Sequence, residues 1–290
     1  MIRIAVIGTH GGWSSEMLTD TVASLTGTRL LVDMKEVCLD LEQGKVFFDG
    51  LDLSTMGAIL VKKIGGRYSP DLLDRLEILR FLEKQGVRIF SSPRSIMRVL
   101  DRLSCTVTLS LAGIPLPATL VTESIDRARK AVADFGEAVF KPLYTSKARG
   151  MTLVRDGNGA SEAIARFKRD NPIMYIQKRV ELPNQDLGVV FLGGSYLTTY
   201  ARRRTNGAWN TTTRTGGTYA PYQPEPEVIE LARKAQAMFD LDFTCVDVAE
   251  TAHGPLVFAV SAFGGFRGIT ETSALDPARP LGPILPEQTA

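Results

Sequence analysis

The sequence predicts an α/β chain, α+β in its later part, built from more than one compact unit. Three observations carry this. The chain has 290 residues, 44% of them hydrophobic, which is enough for two or three small cores. Residues 1–92 alternate short apolar strands with helix-forming segments. Beyond them, longer strand-like stretches alternate with few helices.

In order along the chain, residues 2–7 are apolar and rich in β-branched side chains, as in a buried strand of parallel type. Gly8 to Gly12 form a turn, and Ser14-Ser15-Glu16 open a helix that runs to residue 26. Residues 29–33 are a second strand. Residues 37–41 and 45–48 flank Glu42-Gln43-Gly44, a hairpin signal. Residues 58–62 form a third core strand, Ser69-Pro70-Asp71 cap a helix to Lys84, and residues 87–90 return as a strand. This β-α-β-hairpin-β-α-β order predicts an open α/β domain over 1–92. Ser91-Ser92-Pro93 then break the chain. Ile96, Met97, Leu100, Leu103, Val107 and Leu111 recur at helical spacing and predict one long amphipathic helix over 94–112. After the connector Gly113 to Pro117 come strands at 119–122, 137–141 and 151–154 and helices at 124–135 and 160–169. Strands at 174–181, 186–192, 196–203, 243–251 and 255–261, with a helix at 226–239, complete the folded part. The expected units are 1–92, 93–178 and 179–275, followed by a proline-rich tail at 276–290.

Charge and composition narrow the function. Lys and Arg number 34 against 32 acids, a net +2 that does not signal a nucleic-acid partner. The N-terminus lacks the features of a signal peptide. No apolar run reaches the roughly 18 residues of a membrane span. Cys38, Cys105 and Cys245 are far apart and lack metal-ligand spacing, which predicts reduced thiols in a cytoplasmic protein. Nothing in the composition opposes a homo-oligomer.

Four stretches can carry chemistry. Gly8-Thr9-His10-Gly11-Gly12, with Asp33 ending the next strand, is either a tight strand-to-helix turn or a loop whose helix N-terminus draws an anion; it misses the dinucleotide spacing. Phe140-Lys141-Pro142-Leu143-Tyr144-Thr145-Ser146-Lys147-Ala148-Arg149-Gly150 ends a buried strand on a lysine and continues as a small, basic loop. That is a phosphate cradle or a solvated turn. Gln177-Lys178-Arg179-Val180, then Asp186, present backbone groups suited to an adenine edge and a carboxylate suited to ribose, or else form an ordinary strand with a charged rim. Arg202-Arg203-Arg204 and Thr213-Arg214-Thr215-Gly216-Gly217 suit a transferred phosphate, or an exposed basic hairpin. In the first domain Thr9, His10, Trp13, Lys62 and Lys63 are candidates to line a substrate site.

Taken in this order, the segments resemble the ATP-grasp superfamily, in the branch of ribosomal-protein glutamate ligase and glutathione synthetase. Phe140 to Gly150 and Phe263-Gly264-Gly265-Phe266-Arg267-Gly268 look like a small bacterial group encoded beside an HprK-related kinase. The resemblance implies a pre-ATP-grasp α/β domain followed by two α+β subdomains that sandwich ATP. It implies that Arg102, Lys141, Ser146, Lys147 and Gly150 hold phosphates. Gln177, Lys178, Arg179 and Val180 would frame adenine, and Asp186 would meet ribose. Arg202 and Arg214 would act on the transferred phosphate, and Asp247 would bind Mg²⁺.

One departure stands out. The last strand of the family normally supplies a glutamate and an asparagine to magnesium; Ala259 and Ser261 occupy those positions here. Mg²⁺ takes hard oxygen ligands, and alanine has none. Glu250 is expected on the face opposite Asp247. The resemblance therefore implies a carboxylate–amine ligase with a weakened metal site, acting on a small-molecule carboxylate and an amine such as an amino acid or peptide. The alternative is an ATP-binding pseudoenzyme.

Overall fold

The computed structural model describes residues 3–66, 69–146, 148–205 and 207–273; the expected tail at 276–290 lies outside them. The first body contains β1 (Ile4–Gly8), α1 (Trp13–Thr26), β2 (Leu31–Asp33), β3 (Cys38–Asp40), β4 (Lys45–Phe48), β5 (Leu51–Asp52), β6 (Ala58–Val61), α2 (Asp71–Lys84) and β7 (Arg88–Phe90). The apolar strands form a parallel sheet in the order β2-β1-β6-β7, and β3-β4-β5 make a small antiparallel sheet. Strand β1 is buried along its whole length, as a strand covered on both faces must be.

The periodic stretch 94–112 is two helices, α3 (Pro93–Leu100) and α4 (Arg102–Leu111), and not the single helix expected. Asp101 separates them. Its backbone is extended (φ −78°, ψ 108°) and its carboxylate accepts from the Leu103 N–H at 2.9 Å. An aspartate that captures a backbone donor ends one helix and caps the next. The break also rotates the apolar stripe: Ile96, Leu100, Cys105 and Leu109 are buried, whereas Leu111 is 85% exposed.

The second body holds β8 (Thr119–Thr122), α5 (Ile125–Phe135), β9 (Glu137–Lys141), β10 (Thr152–Arg155), α6 (Ala160–Asp170) and β11 (Met174–Lys178). Its antiparallel sheet runs β10-β9-β11-β8. Helices α5 and α6 cover one face and enclose their own core, with the Phe140 and Phe167 rings edge to face at 5.3 Å. The third body holds β12 (Gln185–Leu192), β13 (Ser195–Arg203), β14 (Thr218–Pro221), α7 (Pro226–Ala237), β15 (Phe243–Thr251), β16 (Gly254–Ser261) and α8 (Phe266–Thr272). Its sheet runs β14-β13-β12-β15-β16.

A single core joins the first and third bodies through α3 and α4, whereas the second body keeps a separate one. On the far face of the third sheet, Tyr200 lies between two glycines. A Cβ at Gly188 would meet its ring at 2.3 Å, and one at Gly268 would meet it at 2.5 Å.

Separate cores make a stability prediction. Phe140→Ala removes a fully buried ring and lowers the stability of the second body by about 3–5 kcal/mol. Hydrogen exchange followed by mass spectrometry is expected to show faster exchange in β8–β11 and unchanged protection in β12, β13, β15 and β16.

Candidate active site

The site is built where the second and third bodies face each other. Strand β9 delivers Lys141 at its last position, buried. Its Nζ donates to Gln177 Oε1 at 2.5 Å and lies 5.5 Å from the centroid of the Phe258 ring. Phe258 belongs to β16, in the other body. It is the extra residue where the β15–β16 register shifts, between the pairs Asp247–Ala259 and Val248–Val257. Lys141 and the Asp247 hairpin thus confront each other. Burial pushes the Lys141 ammonium down to about 7; the Arg102 charge adds to this and Asp247 opposes it.

Arg102, the first residue of α4, reaches the loop after Lys141. Its Nε donates to the Pro142 carbonyl at 3.1 Å and its Nη2 to the Thr145 carbonyl at 3.0 Å. Ser146 follows, half-buried, and Gly150 is exposed with φ +66°. Lys147 lies outside the described residues. At the hinge after β11, the Lys178 N–H bonds the Ala118 carbonyl and the Arg179 N–H bonds the Glu137 carbonyl. The Arg179 and Arg155 side chains both pair with Glu137. Val180 is the next residue along.

The third constellation is an acid–base–acid cluster. Asp186 on β12 pairs across the ladder with Arg202 on β13, and Gly188, two positions along β12, pairs with Asp247 on β15. Alternation therefore places Asp186, Arg202 and Asp247 on one face. Arg202 donates to both Asp186 oxygens, at 3.1 and 2.5 Å, and its Nη2 stands 3.0 Å from Asp247 Oδ1. Burial works against the Arg202 charge, but the two carboxylates outweigh it and hold the guanidinium well above its ordinary range. Burial pushes Asp247 up, with Arg202 opposing. Arg214 sits in a 3-10 turn, Thr213–Thr215; its side chain lies outside the description. The glycines after it serve the backbone: Gly216 has φ +88°, and a Cβ at Gly217 would meet the Thr211 carbonyl at 2.3 Å.

Ala259 lies directly across the ladder from Asp247, and Ser261 across from Cys245. Ser261 Oγ accepts from the Phe263 N–H at 3.3 Å. Among the described residues there is no group of three or more His, Cys, Asp or Glu poised to hold a metal. The donor set near β15 and β16 is thus one carboxylate and one hydroxyl. It fits a magnesium ion that brings phosphate and water oxygens of its own. Glu250 lies elsewhere, accepting from the Tyr222 hydroxyl at 2.6 Å.

The first body closes its glycine loop on itself. The Gly11 N–H donates to Glu16 Oε1 at 2.8 Å and the Thr9 N–H to Ser15 Oγ at 3.2 Å. The first turn of α1 thus already carries a carboxylate. His10 is exposed. Lys62 is buried, its Nζ bonded to the Phe263 carbonyl at 2.7 Å and 4.2 Å from the centroid of the Phe266 ring, so it binds the first body to the glycine loop of the third. Trp13 meets Arg267 at 5.6 Å. Sequence reasoning missed Phe258 and Tyr175. Tyr175 was within reach, because it shares a strand face with Gln177.

The chain matches the RimK-like ATP-grasp domain over residues 99–282, more than half its length, and belongs to that family. It is 28% identical over 211 residues to the tetrahydromethanopterin:alpha-L-glutamate ligase of Methanosarcina acetivorans, a match covering 69% of this chain and 65% of that protein. It is also 28% identical over 201 residues to the ribosomal protein bS6–L-glutamate ligase of Escherichia coli, covering 68% and 67% of the two. Among solved structures, the ATP-grasp ligase PsnB in complex with a phosphomimetic variant of its minimal precursor, Mg and ADP superposes with a TM-score of 0.75 at 19% identity, over 97% of this chain and 96% of that one.

Lys141 titrates near 7 when folded against 10.5 ordinarily, so the unfolded chain holds a proton that the folded one has lost. Its contribution therefore makes stability rise with pH across that window. Urea titrations of the nucleotide-free protein are expected to show this rise, and Lys141→Met is expected to flatten it. Arg202→Ala leaves two carboxylates facing each other and lowers stability by about 3–5 kcal/mol. Without the guanidinium nothing opposes the burial that pushes Asp247 up, so the loss is expected to be larger at pH 8 than at pH 5 in the same titrations.

Proposed function

We propose that this member of the RimK-like ATP-grasp family is an ATP-dependent carboxylate–amine ligase. The observation that carries the reading is Lys141, a buried ammonium at the mouth between two bodies with the Asp247 hairpin opposite. A polyanion lying there meets both a cation and, through bound metal, the acid.

In this reading the triphosphate lies between the second and third sheets. Lys141 and the N–H groups of the loop at 145–150, which includes Ser146, Lys147 and Gly150, hold its phosphates. Arg102 keeps that loop in place and adds positive charge. Gln177 to Val180 frame the base, and Asp186 faces the ribose. Asp247 and Ser261 are the residues that would hold magnesium, which supplies charge neutralisation on the triphosphate. A substrate carboxylate oxygen attacks the γ-phosphorus. The bond from that phosphorus to the ADP oxygen breaks and an acyl phosphate forms. An amine nitrogen then attacks the acyl carbon; inorganic phosphate leaves with the bonding pair and the nitrogen loses a proton. Arg202 and Arg214 offset the charge that builds on the phosphoryl and tetrahedral oxygens. The loop excludes water from the acyl phosphate. L-Glutamate, named for both relatives, is the amine proposed.

Ala259 supports a slow version of this enzyme. It stands across from Asp247, where the resemblance implies a glutamate, and loss of such a group lowers rate on the order of 10²–10³. The same observation favours an ATP-binding protein without turnover as the second reading.

ADP release measured with glutamate and a panel of carboxylates separates these. Ala259→Glu is expected to raise turnover on the order of 10²-fold while Lys141→Ala weakens ATP binding. ATP binding without turnover in parent and Ala259→Glu alike favours the second reading. Absence of both binding and turnover overturns the ligase.

A further inference from the structure

Lys141 is not held by an ion pair with its own sheet but by an amide. Gln177 Oε1 accepts from its Nζ at 2.5 Å. The other end of that amide is fixed. Gln177 Nε2 donates to Thr119 Oγ1 at 3.1 Å and to the Tyr175 hydroxyl at 3.3 Å. The Tyr175 hydroxyl lies 2.9 Å from Thr106 Oγ1. Proton directions in this chain are determined by counting. Thr106 Oγ1 gives its one proton to the Arg102 carbonyl at 2.9 Å. Tyr175 must therefore donate to Thr106, which leaves the tyrosine oxygen to accept from Gln177. Thr119 Oγ1 likewise gives its proton to the Pro117 carbonyl at 2.8 Å and so accepts from the amide. Both partners of Nε2 need a donor, so the amide cannot flip, and its oxygen faces Lys141. Gln177 is 3% exposed, so these side chains and not bulk solvent satisfy its amide.

The result is one polarised line of hydrogen bonds from the Lys141 ammonium through Gln177, Tyr175 and Thr106 to the backbone of Arg102. Bonds aligned in this way strengthen one another. The same Arg102 clamps the loop after Lys141 from the other side. We infer that Gln177 is a positioning residue for phosphate capture: its locked amide oxygen aims the Lys141 ammonium into the cleft while leaving that charge unneutralised for an incoming anion. A glutamate at 177 would hold the lysine more tightly and cancel the charge. An amide holds it and does not.

The inference rests on the nucleotide reading only in what it says of ATP; the aiming of Lys141 is testable without any nucleotide. NMR of ¹³Cε-lysine in the full chain follows the Lys141 titration directly. Gln177→Glu is expected to raise the protonation constant more than tenfold, and Gln177→Leu to lower it, since one adds a carboxylate and the other removes the acceptor. Thr119→Val, close in shape to the parent, frees one end of the amide. It is expected to shift the constant in the same direction as Gln177→Leu by a smaller factor, and it carries the test should the leucine variant not fold. In the ATP arm, Gln177→Glu is expected to weaken binding about tenfold or more, the value of one charge-assisted hydrogen bond. An unchanged titration in all three variants overturns the positioning role. A titration that moves as stated while the parent fails to bind ATP upholds the positioning and overturns the nucleotide reading instead.

Discussion

A lysine whose ammonium is withdrawn from water and, among the described residues, hydrogen-bonded to an amide oxygen sets the terms for the rest of this molecule. Removing a charge from solvent is unfavourable unless something answers it. Here the answer is deferred. Asp247, across the gap, moderates the burial without closing an ion pair. The second body stakes its Lys141 on what arrives between it and the third. A folded protein tolerates such a group because the surrounding strands are stable without it: β9 and β11 pair over four residues and share a core with α5 and α6.

The third body solves the opposite problem. Asp186 and Asp247 bring two carboxylates to one face, and Arg202 lies between them. One guanidinium cannot balance two acids, so the cluster retains negative character, and Asp247 is the more exposed of the two. A face with surplus positive charge on one sheet and surplus negative charge on the other is suited to a ligand that carries both signs, a polyphosphate with its metal. Ala259, across the ladder from Asp247, adds no charge to that face. Lys62, the α3–α4 pair and the continuous core tie the first body to the third.

Much of this was legible in the sequence. Apolar β-branched runs mark the parallel strands, and the turn at His253-Gly254 marks the last hairpin; but the regular register from that turn would set Phe258 opposite Asp247, and only the shift after Val248 brings Ala259 there. The long helix failed because hydrophobic periodicity continues through Asp101, where side-chain capture of a backbone N–H overrides it. Strand β5 is two residues paired with the adjacent β4, too short to show an alternation, and β14 pairs with β13 only after a long connection. The site residues were picked by type, but their partners were not: nothing local tells that Arg202 reaches two aspartates, that Arg102 grips carbonyls of the loop, or that a register shift turns Phe258 toward Lys141. Those contacts depend on how two sheets face each other, which no window of sequence contains.

Lys141 is expected to take up its charge when a phosphate chain enters the cleft. Calorimetry of ATP binding at pH 8, repeated in buffers of different ionisation enthalpy, counts the protons exchanged. At that pH the free lysine is largely neutral, so uptake of about one proton per ATP is predicted, absent in Lys141→Met. ATP binding with no proton uptake, or with the same uptake in the variant, would contradict it.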